Sequence, residues 1–346
     1  MERNRLDWLV AVVAFVVLGC GGGSGVDVSI TSTDGDNSET RSLDPSEPGT
    51  PATPTEKRGT IGYSAMDMGN PFFLIIAKNL KREAEAAGFD LIVEDAGTDV
   101  KAQAEHLDAF IAKRVAAIVL NPCDSSSAGP SIKRANEQGI PVFTCDTQCV
   151  AEGIEIAGHV GTDNFGGGKL AGEAMIEVLG ESGGKVFIVD YKSESCVLRV
   201  EGFREVIDAY NKGREPGRIE IVGQQDGGGN PTDGFSATSA AIQANPDLAG
   251  LFAINDPSGL GAYAALEQAG KTEQVTIVAF DGEEQGRQAI KDGKFFADPI
   301  QFPDRMGIQT VEKILKYLKG EEFEAVTFLP TVLYRKADAD KDPELE

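Results

Sequence analysis

Five apolar runs in this chain end on a side chain suited to hydrogen bonding. Residues 115–120 run into Asn121, 140–145 into Asp146 and 185–189 into Asp190. Residues 250–254 run into Asn255 and Asp256, and 275–280 into Asp281 followed by Gly282. An ionised carboxylate accepts from two hydroxyls at once, and a carboxamide both donates and accepts. A ring of such groups recognises adjacent hydroxyls, which is the chemistry of sugars and polyols. Taken singly, Asn and Asp also start turns at strand ends; five together favour the ring. Phe72 and Phe73 suit the same ligand. Neighbours on a helix point about 100° apart, so the two rings cannot face a core equally. One can lie against the apolar C–H face of a sugar ring.

Rival chemistries lack parts. The only histidines, His106 and His159, stand far apart, which excludes a His-rich metal site and leaves a catalytic relay short of groups. Serines such as those in "SAGPS" have no paired His, so a hydrolase is not indicated. The run "NFGGGKLAG" looks like a phosphate loop. It has Asp163 where that motif needs Gly and Leu170 where it needs Ser or Thr. Its glycines suit a helix packing closely after a hinge. "DADKD" at 338–342 begins like a calcium loop but lacks Gly at the sixth position. It reads as a solvated acidic tail.

The elements that must position these groups alternate strictly from Gly59 onward. A β-branched run at 60–65 precedes Asn70-Pro71, a capping residue and a first-turn proline that together start a helix. Phe72, Phe73, Ile76, Ala77, Leu80 and Ala84 recur at helical spacing up to Gly88. Strands are expected at 89–93, 115–120 and 140–144, with helices at 100–113 and 128–138. After about residue 160 the pattern restarts with helices at 164–179, 197–212, 233–244, 258–269 and 284–292. The strands between them fall at 185–189, 218–222, 250–254, 275–280 and 295–300. The last elements are a helix at 304–319 and a strand at 326–333. Continuous apolar strands between amphipathic helices mean parallel sheets covered on both faces. The expected fold class is α/β, with two Rossmann-like, doubly wound lobes. In such sheets ligands bind beyond the carboxyl ends of the strands, where the Asn and Asp residues fall.

The 346 residues suffice for two domains at roughly 100–200 residues each. Asp and Glu number 55 against 32 Lys and Arg, a net charge of −23. That balance argues against nucleic acid, whose binding is driven by basic surface. The first stretch is of another kind. Arg3 and Arg5 precede an apolar run from Trp8 to Leu18, too short to span a bilayer but suited to a signal peptide. The run ends in Gly19-Cys20. Residues 21–58 are Gly-, Ser- and acid-rich and then Pro-rich, with too few apolar side chains to offset ordering. They read as a tether.

Two resemblances follow from these residues. "VLGC" at 17–20 is similar to the lipobox of bacterial lipoproteins, which implies a lipoprotein signal peptide at 1–20 with lipidation at Cys20. The segments "TIGYSAMDMGNPFF", "AAIVLNPCDSSSA", "GIPVFTCDT", "HVGTDNFGGGKLAGE", "RVEGF", "LFAINDPSGLGAYAAL", "VAFDG" and "IQFPDRMG" resemble periplasmic ribose-type sugar-binding proteins. They do so in order and spacing, over about residues 59–335. The resemblance implies a periplasmic binding protein of type I, with two lobes joined by three hinge crossings that close on the ligand. The expected lobes are 59–161 with 302–329, and 162–301 with 330–346. It implies Asn70, Phe72, Phe73, Asp146, Asn255, Asp281 and Gln301 as sugar contacts, no catalytic residue, no metal and no cofactor. This chain departs from the pattern in three places. Thr147 and Val197 stand where ribose binders carry Arg, although Arg199 is kept. The 224–230 loop lacks a ring-stacking aromatic, and Gln224, Gln225 or Asp226 are candidate polar substitutes.

Beyond Cys20, four cysteines remain: Cys123, Cys145, Cys149 and Cys196. They allow three pairings, of which Cys123–Cys145 would join neighbouring strand ends; four free thiols are the alternative. The expected role is a monomeric binding protein that feeds a sugar or polyol to an ABC transporter permease, or reports it to a chemoreceptor. It would act in the periplasm or at the cell surface. A repressor-type sensor core shares the fold but needs a basic helix-turn-helix, and the N-terminal stretch here is a leader and an acidic tether. Cys20→Ala is expected to shift the protein from the membrane pellet to the soluble fraction on cell fractionation. Retention of the variant in the pellet counts against lipidation.

Overall fold

Alternating strands and helices build two α/β lobes in the computed structural model, which describes residues 57–345. The expected leader, Cys20 and nearly all of the tether lie outside the described residues. The first lobe starts with β1 (Gly59–Ala65), α1 (Pro71–Ala86), β2 (Phe89–Asp95), α2 (Val100–Ala112), β3 (Ala117–Leu120), α3 (Gly129–Glu137), β4 (Val142–Cys145) and β5 (Gly158–Thr162). The second holds α4 (Asn164–Leu179), β6 (Gly184–Asp190), α5 (Glu194–Asn211), β7 (Ile219–Asp226), α6 (Pro231–Ala244), β8 (Leu248–Ala253), α7 (Asp256–Ala269), β9 (Thr276–Val278), α8 (Glu284–Lys291) and β10 (Ala297–Ile300). The chain returns to the first lobe for α9 (Pro303–Lys319) and β11 (Val326–Leu329), then ends in the second with β12 (Val332–Arg335) and α10 (Lys336–Ala339). It therefore crosses between the lobes three times, after β5, β10 and β11.

The first sheet has the order β11-β5-β4-β3-β1-β2 and the second β12-β10-β9-β8-β6-β7. All pairs are parallel except β12, which runs antiparallel to β10. Every residue of β3 and β4 is buried, as unbroken apolar runs between helix layers require. No described helix is long and apolar enough to cross a membrane.

Four expectations need correction. The strand expected at 326–333 is two strands in two sheets, split at Pro330-Thr331. A proline cannot donate to a ladder, so the break falls where the chain changes lobes. The strand β5 carries Gly158 and Gly161, and a Cβ at Gly158 would lie 2.9 Å from the Phe143 ring. Its glycines are what a central position demands and also what hides it from a β-propensity pattern. The strand β7 runs on through Gln224, Gln225 and Asp226, which pair with Ile188, Val189 and Asp190 of β6. The acidic tail is docked, not merely solvated: Asp342 accepts from Tyr334 Oη at 2.8 Å and pairs with Arg287, which also reaches Glu344.

The four cysteines are free thiols, so the expected pairing is not formed. β3 and β4 are neighbours, but their register sets Leu120 beside Thr144. Asn121 therefore comes level with Cys145, and Cys123 lies two residues further on. Cys145 is wholly buried in the core, and its carbonyl accepts the Asn121 side-chain N–H at 2.6 Å.

The glycine run at 166–168 serves close helix packing, as the sequence suggests. A Cβ at Gly168 would sit 2.1 Å from the Arg199 carbonyl oxygen, and one at Gly202 would sit 2.1 Å from that of Phe165. Backbone therefore meets backbone where α4 crosses α5. Gly202→Ala should force these helices apart and cost about 1–3 kcal/mol, the usual range for overpacking. Thermal denaturation checks it, and an unchanged midpoint would sink the close-packing account.

Candidate functional site

The strand ends converge where the lobes face each other, around a cavity of about 350 Å³. The first lobe contributes Asn70, Phe72, Phe73 and Asp146, the second Asn255 and Asp281, and the second crossing Gln301. The structure thus brings together all seven residues implied by the family resemblance.

Each is held by a local feature of the chain. Asn70 caps α1, its side-chain oxygen accepting the Phe72 N–H at 2.7 Å, with Pro71 next in the helix. That start turns Phe72 and Phe73 toward the cavity rim. Both are largely buried, and their rings meet edge to face with centroids 5.3 Å apart, a preferred aromatic geometry. Asn255 caps α7 through the Ser258 N–H at 3.1 Å, and its amide donates to the Gly229 carbonyl at 3.0 Å.

Asp281 sits in a dense network. Its Oδ1 accepts from Arg199 Nη1 at 2.8 Å and from Gln301 Nε2 at 2.5 Å. Gln301 in turn accepts from Thr162 Oγ1 at 2.6 Å, so one side chain ties two of the crossings together. Arg199 also donates to Asn164 and to the Ile254 carbonyl, and lies 3.9 Å above the Phe280 ring. Only Oδ2 of Asp281 is left for a ligand. Gln301 is mainly a positioning group, because both ends of its amide are engaged.

Asp146 is the opposite case. It follows β4 with φ +65°, and its one side-chain partner is the Thr147 hydroxyl at 3.3 Å. Burial pushes its pKa up to about 6; Arg199 pulls it down and Asp281 pushes it up. At neutral pH it is a carboxylate with unused acceptor capacity facing the cavity.

The ring of five strand ends is reduced to three. Asn121 is fully buried and works as a clasp, accepting from Tyr63 Oη and donating to the Cys145 carbonyl. Asp190 accepts from Gln224, and Asp256 accepts from the Glu283 backbone. None of the three lines the cavity, and neither do Gln224, Gln225 or Asp226. Sequence reasoning missed Tyr191, which lines the cavity from the second lobe and remains 39% exposed. It lies one residue past the Asp190 strand end, and its ring is 3.6 Å from where a Gly229 Cβ would be. The bare Gly228–Gly229 segment gives that ring its place.

These geometries separate the two carboxylates experimentally. Asp146→Ala removes an acceptor whose one side-chain partner in the protein is the Thr147 hydroxyl. It should weaken binding by about 5- to 150-fold, or ~1–3 kcal/mol, with little change in folding. Asp281→Ala also strands a buried guanidinium, at a cost of about 3–5 kcal/mol in stability. Asp190→Ala should leave affinity nearly intact. Because the ligand needs ionised Asp146, affinity should fall as pH drops through about 6. Calorimetric titration over that range checks each point; a flat pH profile together with near-wild-type binding by Asp146→Ala would show the site to be misplaced.

The model of the periplasmic binding protein domain matches residues 61–322. The ribose import binding protein of Salmonella typhimurium is 31% identical over 269 residues, 78% of this chain and 88% of its own. The D-apiose import binding protein of Paraburkholderia graminis is 31% identical over 251 residues, 72% of this chain and 78% of its own. A periplasmic solute-binding protein of an ABC transporter from Actinobacillus succinogenes, with bound D-allose, superposes with a TM-score of 0.76 at 26% identity. That match covers 82% of this chain and all of the other. With its two lobes, its three crossings and a polar cleft between them, this chain belongs to the periplasmic binding protein family, among the sugar-binding proteins of ABC importers and not among enzymes.

Proposed function

We propose that the chain captures a monosaccharide or related polyol, with a ribose-like pentose as the first candidate, and delivers it to an ABC transporter permease. The lobes 59–161 with 302–329 and 162–301 with 330–346 close over it. The observation that carries this reading is one cavity in which Asp146 and Asn70 of one lobe face Asp281 and Asn255 of the other beside two phenylalanines. A ligand that joins these groups holds the closed form, since closure follows from binding the two faces together. Relatives that take ribose and D-apiose, and a structural neighbour that holds D-allose, support a neutral sugar.

Charge narrows the class further. Asp67, Asp146 and Asp281 line the cavity against one cation, Arg199, which Asp281 already occupies. Sugar phosphates and sugar acids would meet unmatched carboxylates, so uncharged sugars and polyols are favoured. Anchoring through Cys20 and the tether would hold a monomer at the outer face of the membrane, in the periplasm or at the cell surface, near its permease. A thermal-shift screen of pentoses, hexoses and polyols tests the reading. A ligand at 100 times its Kd stabilises by about 2.7 kcal/mol, and small-angle scattering should then show a smaller radius of gyration. If no member of the panel shifts the midpoint, or the radius stays unchanged at saturation, the reading fails.

A further inference from the structure

Behind Asp281, two more carboxyl groups meet inside the second lobe. Asp256 stands at the start of α7 and Asp298 lies in β10, and both are wholly buried at 0% exposure. Each uses one oxygen on the backbone that follows Asp281. Asp298 Oδ2 accepts the Gly282 N–H at 3.3 Å, and Asp256 Oδ2 accepts the Glu283 N–H at 2.8 Å. The other oxygen of each, Oδ1, is buried without a donor. Because the two Oδ2 atoms accept from successive backbone N–H groups, the two side chains are set side by side. Gly286 of α8 packs directly on Asp256, where a Cβ would fall 2.2 Å from the carboxyl group, so water has little room to repair the defect.

Two ionised carboxylates in contact repel, and each buried acceptor without a donor adds its own cost. A single proton resolves both defects, because a carboxylic acid donates where a carboxylate only accepts. We propose that Asp256 and Asp298 share one proton, and that this acid pair positions the Asp281–Glu283 segment that presents Asp281 to the cleft. The segment needs such a hold. Asp281 has φ +117° and Gly282 has φ +74°, and a Cβ at Gly282 would lie 2.1 Å from Ile300. Backbone in these regions persists only when its surroundings fix it, and the two anchored N–H groups do so here.

The charged and titratable groups around the pair agree. Burial, then the charge of Asp298, holds Asp256 well above the carboxylate range. Burial and the charge of Asp281 hold Asp298 at about 7, against the pull of Arg199 on α5. Glu283, from the segment ahead of α8, is itself pushed up to about 8 by burial. Tyr334 of β12 stands opposite Asp298 in register, and its hydroxyl is already donated to Asp342. Unfolded carboxyls release their protons near pH 4, whereas in the folded pair Asp298 keeps its proton to about pH 7 and Asp256 is held well above the carboxylate range. Folding therefore takes up protons in that window, and stability falls as pH rises across it. As Asp298 gains charge beside Asp256 and Asp281, the pair loosens its grip on Gly282 and Glu283.

The inference bears on sugar binding only through Asp281, so its test uses the unliganded protein and stands apart from the proposed function. In Asp298→Asn the amide offers Asp256 a donor with no proton to lose. From about pH 6 to about pH 8.5 the wild type should lose at least about 2 °C more in Tm than this variant. Over the same range, hydrogen exchange at Gly282 and Glu283, corrected for its intrinsic pH dependence, should quicken several-fold in the wild type alone. Parallel curves for the two proteins overturn the proposal. Should Asp298→Asn fail to fold, an Asp146→Asn, Glu283→Gln protein serves instead. Its infrared spectrum in heavy water should keep a protonated carboxyl band at neutral pH and lose it on alkaline titration, and absence of that band is equally fatal.

Discussion

Arg199 and Asp281 form an ion pair with side-chain exposures of 5% and 9% at the base of the cleft. Charges this deep are costly to desolvate, and a pair holds only if its remaining hydrogen-bonding capacity is met. Here the partners come from two of the three crossings and from the ends of β8 and β9. Asn164 begins α4 just after the first crossing, Ile254 follows β8, Phe280 follows β9, and Gln301 lies in the second crossing. Thr162 closes the circuit through Gln301. The pair therefore fixes where three chain segments lie relative to one another, and with them the angle at which the ligand-facing oxygen of Asp281 is offered.

The first lobe solves its half of the site differently. Asp146 has no guanidinium of its own, since Thr147 follows it, and its field is set by burial and by Arg199 across the cleft. A weakly partnered carboxylate is poor for stability, but its acceptor sites are open to hydroxyl donors that arrive with a ligand. The second lobe thus holds a rigid, satisfied carboxylate and the first an unsatisfied one. On the proposed reading, that difference makes ligand capture a reaction between unlike surfaces: the first lobe would supply affinity per hydroxyl, and the second a fixed geometry against which closure is measured.

Much of this was legible in the sequence. The alternation of apolar strands and amphipathic helices located nearly every element, and the rule that ligands sit past strand ends pointed to Asp146, Asn255 and Asp281. What stayed hidden depended on pairing between distant segments. Asn121 and Asp190 obey the same strand-end rule, yet Tyr63 and Gln224, in strands on either side, turn them into internal hydrogen-bond partners. The Leu329–Thr331 switch reads as one strand because a single proline interrupts it and each piece is apolar. Tyr191 was missed because its value depends on a glycine segment almost forty residues away leaving space for a ring. Cysteine pairing failed for a similar reason: adjacency of strands was legible, register was not.

The strand ends and helix starts meet at the cleft because the residues that line it also cap the helices. Every helix that starts at the cleft needs an acceptor for its first N–H groups, and Asn70 and Asn255 supply it with their side-chain oxygens. Once the oxygen is committed, the carboxamide plane is fixed, and its NH2 group must point away from the helix axis. At Asn70 that group has no hydrogen-bond acceptor among the described residues, and it faces the cavity. At Asn255 one N–H steadies Gly229, the residue beneath Tyr191. A cap substituted by Ser or Asp would still start the helix, but it would lose the amide donor at Asn70 and the Gly229 contact at Asn255. Helix capping alone therefore does not demand asparagine at these two positions, and the cleft does.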